Sequence, residues 1–159
     1  MNSLFHIAIL CLLALRLAAA PLGSISEVLA LSPEAAAQKQ AVRVDATLLV
    51  DDRFRSTFFF HDGSASCYAL IPESLLGDAL KRGQRYRIEG STKAGDYRAI
   101  VEVTALTPLG AGTEPEPQRL AGDDIFRTQA DAQWVEIEGR VEGSSFREGG
   151  PSLDIGVQG

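Results

Sequence analysis

The sequence predicts an all-β protein: a small closed barrel of five short strands, followed by the start of a second β module. Three observations predict it. Residues 41–50 alternate apolar and polar with a period of two, the mark of a half-buried strand. Residues 58–70, FFFHDGSASCYAL, read as two strands around a tight turn, with Gly63 supplying the positive φ that the turn needs. After a proline-containing break, the pattern of residues 40–48 returns at residues 133–141, at a constant offset of 93.

Composition sets the bounds. At 159 residues, 45% hydrophobic and 23% charged, the chain has the make-up of one globular domain, or of one domain and a fragment. The net charge of -6 argues against a general nucleic-acid binder. Residues 38–112 hold ten Lys/Arg and nine Asp/Glu, whereas residues 113–159 hold four and ten. The acidic part reads as a solvated face or linker.

The N-terminus reads as an export signal. Residues 7–15 (IAILCLLAL) form an apolar run, followed by Arg16, Leu17 and three alanines. The run is too short to span a bilayer. Two features are off-pattern: no Lys or Arg precedes the run, and Pro21 follows the obvious cut after Ala20. A later cut, up to residue 37, also fits. Removal of residues 1–20 takes Cys11 away and leaves Cys67 alone, unable to form an internal disulfide. The chain is therefore expected outside the cytoplasm, in the periplasm where there is one. Membrane contact is expected only through an uncleaved N-terminal segment.

The elements follow in order. Ser32, Pro33 and Glu34 cap a short helix over residues 33–39. Strand one, residues 41–50, places Val42, Val44, Ala46, Leu48 and Val50 on one face. Residues 51–56 (DDRFRS) form the loop into the hairpin, which supplies strands two and three. Residues 73–81 are expected to make one or two helical turns with Leu75, Leu76, Ala79 and Leu80 inward, set by Pro72 and stopped by Gly83. Strand four, residues 85–90, turns Tyr86 and Ile88 inward. Residues 91–96 form a turn, and strand five, residues 97–107, carries Tyr97, Ala99, Val101, Val103 and Ala105 on one face. Three strands, a short helix and two strands is the order of an OB-fold barrel. The barrel with its leading helix is assigned to residues 24–108, the linker to residues 109–118, and the truncated start of a second module to residues 119–159.

These segments carry a resemblance. ISEVLALSPEAAAQKQAVRV, FFFHDGSASCYAL, LKRGQRYRIEGSTKAGDYRAIV and DAQWVEIEGRVEG resemble the extracytoplasmic OB-like modules found in tandem before the membrane span of some bacterial sensor histidine kinases. The shared pattern is a helix, a strand, a hairpin with Asp-Gly, a Gly-x-x-x-x-x-x-Gly strand and a Trp-Val-x-x-x-Gly restart. His61 and Cys67 in the hairpin depart from it, and no kinase motif follows. The resemblance implies a non-catalytic sensory or interaction module, a piece of a two-component sensor's outer region.

Little in the sequence carries chemistry. His61, Asp62 and Cys67 offer two or three metal ligands across one turn where a zinc site takes three or four, and a turn histidine beside a packed cysteine is the commoner arrangement. Ser64 or Ser66 beside His61 lacks an orienting third group, because neighbours on a strand point to opposite faces. No catalytic residue, metal or cofactor is therefore expected, and the protein is not expected to be an enzyme. The candidate binding residues are Arg53, Phe54 and Arg55 in the first loop, His61 and Tyr68 on the hairpin, and Lys93 in the turn before strand five. OB barrels bind ligands with this hairpin and these loops, and Arg and aromatic side chains stack on rings and contact phosphates. The same residues also fit a solvated loop with Phe54 folded onto the barrel end. The partner is an unidentified small ligand or protein. The alternative function is an oligonucleotide- or oligosaccharide-binding OB protein, with the export signal weighing against nucleic acid.

One prediction follows from the incomplete repeat. Trp134, Val135 and Ile137 have no barrel of their own and must pack on the first module, pair with another chain or stay exposed, so residues beyond about 112 are expected to exchange amide hydrogens quickly, or the chain to self-associate. Slow exchange across residues 134–141 in a strict monomer would overturn this.

Overall fold

A computed structural model describes residues 20–77, 80–127, 130–147 and 150–157. Residues 1–19, expected to belong to an export signal, lie outside the described residues. Two short helices lead in: α1 (Ile25–Leu29) and α2 (Pro33–Ala36). Ser32 caps α2 with its side chain on the Ala35 N–H. α1, not among the elements expected from the sequence, opens on a capping box: Ser24 and Glu27 each take the other's backbone N–H on their side chains.

The five strands β1 (Ala41–Asp52), β2 (Thr57–His61), β3 (Ser66–Leu70), β4 (Gln84–Ala94) and β5 (Ala99–Ala111) close into a barrel in the order β1-β2-β3-β5-β4. β3 meets β5 in parallel and the other pairs are antiparallel. This is the expected all-β, five-stranded OB-type barrel. Val42, Val44, Leu48, Phe58, Phe60, Tyr86, Ile88, Val101 and Val103 fill it. At one end Ile25, Val28, Leu29 and Ala36 plug the barrel, and the buried Thr92 hydroxyl donates to the Ala36 carbonyl. An export cut at residue 37 would strip these four residues from the core. At the other end Leu80 is buried, with Leu75 and Leu76 packed beside it.

Several boundaries move, each for a local reason. Among the described residues between β3 and β4, the helical turn is a 3-10 turn, Glu73–Leu75, with Gly77 two residues beyond it; Ala79 lies outside the described residues. β4 runs on to Ala94, so the turn before β5 narrows to residues 95–98. β5 continues through Pro108 to Ala111, into the expected linker, because β4 from Gln84 to Tyr86 pairs with it there. Tyr97, expected on the inward face of strand five, lies before β5 and is exposed. A bulge at Leu49 flips the alternation of β1: Leu49 is buried while Val50 is only half-buried.

Beyond the barrel, β6 (Gln118–Leu120) pairs in parallel with β7 (Val135–Ile137), and β8 (Arg140–Arg147) pairs with β9 (Gly150–Gly156) as a hairpin. These elements replay the opening of the barrel. The Gln118 N–H donates to the Trp134 carbonyl as the Leu22 N–H does to Ala41. The β8 bulge between Val141 and Gly143 falls 93 residues after the β1 bulge between Leu48 and Val50. Leu153 and Ile155 stand across from β8 as Phe58 and Phe60 stand across from β1, two residues later than a constant offset places them. In the barrel that face is interior; on this hairpin it is open, with Leu153 61% and Phe146 86% exposed.

The barrel core makes two substitutions informative. Val44→Asp would bury an unpaired carboxylate and should cost at least about 3 kcal/mol. At Gly90, where β4 shifts register, an added Cβ would run into the Glu102 carbonyl oxygen. Gly90→Ala should therefore lower the melting temperature by many degrees; circular dichroism melts unchanged in either variant would refute this packing.

Candidate functional site

The outer face of the hairpin is built by alternation. Phe58, Phe60, Cys67 and Ala69 point into the core, so Phe59, His61, Ser66 and Tyr68 point outward, paired across the strands as Phe59 with Tyr68 and His61 with Ser66. The Phe59 and Tyr68 rings lie 5.6 Å apart at 52°, within the range of favourable aromatic pairs. The Tyr68 hydroxyl donates to the Ser56 carbonyl at 2.9 Å, fixing the ring beside the first loop.

His61 and Cys67 do not converge. Cys67 faces the core, where burial first and the Asp62 charge second push its thiol up to about 12, so it stays protonated. His61 Nδ1 accepts the Gly63 N–H at 2.9 Å, which leaves the ring proton on Nε2, and burial lowers its pKa against the opposing pull of Asp62. Among the described residues no cluster of three His, Cys, Asp or Glu is placed to hold a metal ion. The Ser64 hydroxyl donates to Asp62 and accepts from Ser26, so it is not paired with His61.

Asp62 joins the hairpin tip to α1. One carboxylate oxygen accepts the Ile25 N–H at 2.6 Å; the other accepts the Ser64 N–H and hydroxyl and the Ala65 N–H. Burial pushes this carboxyl up, but the hydrogen bonds outweigh it and hold the pKa below the usual aspartate value.

The loop arginines are committed to structure. Arg53 pairs with Asp51 and donates to the Gly77 and Leu80 carbonyls, tying the first loop to the barrel end. Arg55 pairs with Asp52 at 2.7 Å. Phe54 is not folded onto the barrel but is 82% exposed. Lys93 is not part of this cluster. It lies beyond Ser91, which pairs with Ala41 at the start of β1, about 30 Å of strand from the loop at the other end; its neighbours there are Glu102 and, through Glu102, Lys39. The structure therefore brings together Phe59, His61 and Tyr68, keeps Arg53, Phe54 and Arg55 at the adjoining loop, and sets Lys93 apart.

Sequence reasoning missed what covers this face. Leu49 is 2% and Ser66 1% exposed, yet Ser66 faces outward and Leu49 stands outside the main core cluster. Residues after the barrel bury them. Gly112 lies against the Thr47 side chain. The Gln133 carboxamide accepts from the Ser66 N–H and donates to the Ser66 carbonyl, at 3.3 and 3.0 Å. Trp134 lines a shallow cavity with Leu49, Val50 and Asp51, and the Arg82 guanidinium sits 5.7 Å from its ring centroid. The constant offset that identifies the repeat gives no sign that its first residues seat here.

The Asp62 geometry fixes a pH response. Its folded pKa is depressed, so its stabilising contribution is present above the ordinary value near 3.8 and is lost as pH falls through the lower folded value. Asp62→Asn should lose about 1–2 kcal/mol at pH 7 and show a shallower stability decline below pH 4. Parallel acid limbs for variant and wild type in urea melts would refute this role.

No protein-family model matches the chain, and no curated protein matches it. Solved structures do. The hypothetical protein ygiW from E. coli is 12% identical with a TM-score of 0.45, over 57% of this chain and 91% of that one. A chain of the S. pombe Stn1-ten1 complex is 20% identical with a TM-score of 0.44, over 57% of this chain and 76% of that one. The telomere capping protein Ten1 from Saccharomyces pombe is 19% identical with a TM-score of 0.43, over 56% of this chain and 80% of that one.

Proposed function

We propose that the protein is a non-catalytic recognition module whose binding surface is the outer face of the β2–β3 hairpin. The observation that carries this is the outward Phe59–Tyr68 pair, two apolar rings held beside a loop by the Tyr68 hydroxyl bond to Ser56. Aromatic rings on an OB face give a stacking platform for any planar or ring-bearing ligand. The finer reading is an extracytoplasmic sensory module of a two-component sensor, with residues 119–159 as the start of a second copy. It rests on the resemblance, on the apolar N-terminal run, and on the replayed bulge and parallel bridge.

The ring pair also favours the second reading, an oligosaccharide- or oligonucleotide-binding module. A ligand that stacks needs rings, and each sugar or base supplies one. The open face of the β8–β9 hairpin is in this reading the surface through which a second copy associates.

A titration separates these readings. Single-stranded DNA and a panel of glycan oligomers are added to the full chain while tyrosine and tryptophan fluorescence are followed. Tyr68→Ala should weaken any binding about 5- to 150-fold, since one stacked ring contributes about 1–3 kcal/mol, with melting unchanged to within a few degrees. Binding that survives Tyr68→Ala and Phe59→Ala together would place the site elsewhere.

A further inference from the structure

Among the described residues, the edge of β3 before Ala69 has no strand partner on the side away from β2, next to the recognition face. β5 pairs with β3 only at Ala69 and Leu70. Before those residues, the Ser66 N–H and C=O point away from β2, and what meets them is a side chain. The Gln133 carboxamide offers one acceptor and one donor, the same pair that a peptide unit offers, and it engages both Ser66 groups. A side chain is standing in for a strand.

A second observation points the same way. Ser66 is 1% exposed, and its hydroxyl has no hydrogen-bond partner among the described residues. Burying an unpaired hydroxyl is unfavourable, so Gln133 satisfies the edge incompletely. A true backbone strand running along residues 66–68 would carry further polar groups past that hydroxyl and past Tyr68.

We propose that the β3 edge at residues 66–68 is an acceptor for an extended polypeptide strand, and that Gln133 and Trp134 occupy it in cis. The strand would add to the sheet by main-chain hydrogen bonds at Ser66, with its side chains beside Tyr68. This rests on the recognition-face reading and names its partner as a polypeptide in extended form. While Gln133 and Trp134 are seated, an incoming strand must displace them, so the apparent affinity of the intact chain is reduced by the fraction of time the edge is open.

The probe is the chain's own restart segment, the labelled peptide DAQWVEIE of residues 131–138. It is added to the full chain and to the full-length double variant Gln133→Ala/Trp134→Ala, with fluorescence anisotropy as the readout. The double variant should bind at least ten times more tightly than the wild type, with amide shifts centred on Ser66 and Tyr68. Equal affinities, no binding by the double variant, or shifts centred on β8 and β9 would each overturn the proposal. Independently of the peptide, Gln133→Ala alone should speed exchange of the Ser66 amide about tenfold and leave Phe59 unchanged; unaltered exchange at Ser66 would also overturn it. If the double variant binds glycans or DNA but not the peptide, the strand proposal fails and the recognition face stands. If it binds none of them, both fail.

Discussion

Closure of the barrel is the constraint on which the rest depends. β1 is shared between β2 and β4, and β4 must bend to reach both β1 and β5. The bend comes at Gly90, where the Glu102 backbone occupies the space that a side chain would need. The bulge at Leu49 does the corresponding work on β1. Among the described residues, closure leaves a short stretch of β3 without a strand partner where β3 and β5 part company. That gap is a by-product of their parallel pairing, confined to Ala69 and Leu70. It lies beside the outward aromatic pair, so the geometry of closure also positions Phe59 and Tyr68.

Closure leaves two open ends, and polar groups fasten what plugs them. At one end the Asp62 carboxylate receives the first N–H of α1 and, through its other oxygen, organises the hairpin tip. The apolar side of α1 can then bury Ile25, Val28 and Leu29 in the barrel mouth. At the other end Arg53 spans from the first loop to the Gly77 and Leu80 carbonyls. These hydrogen bonds satisfy backbone groups that no strand reaches, which is why residues that look like free surface charge in the sequence are spoken for.

The second part of the chain shows how little a local pattern means without its partners. Val141, Leu153 and Ile155 stand where Leu48, Phe58 and Phe60 stand in the barrel, across the same bulge. In the barrel these positions are buried; on the hairpin they are exposed. Burial stabilises by roughly 25 cal/mol per Å² of apolar surface, and a two-stranded hairpin offers nothing to bury against. The start of the repeat is instead held by a few contacts at Gln133 and Trp134, on the face of the completed barrel.

The strands themselves were legible from the sequence, because alternation is set by the pleat and each of Val42, Val44, Ala46 and Leu48 reports its own side of the sheet. So were the Asp-Gly turn, the Ser32 cap and the core positions of the strands, all of which depend on residues close together in the chain. The capping box of α1 was equally local, written in Ser24 and Glu27. Tertiary structure decided the rest. Whether an arginine is free or tied to a distant carbonyl, whether Lys93 lies near the first loop, and whether Ser66 is open or covered depend on which ends of curved strands meet in space. That is fixed by how the whole sheet closes, and no window of neighbouring residues carries it.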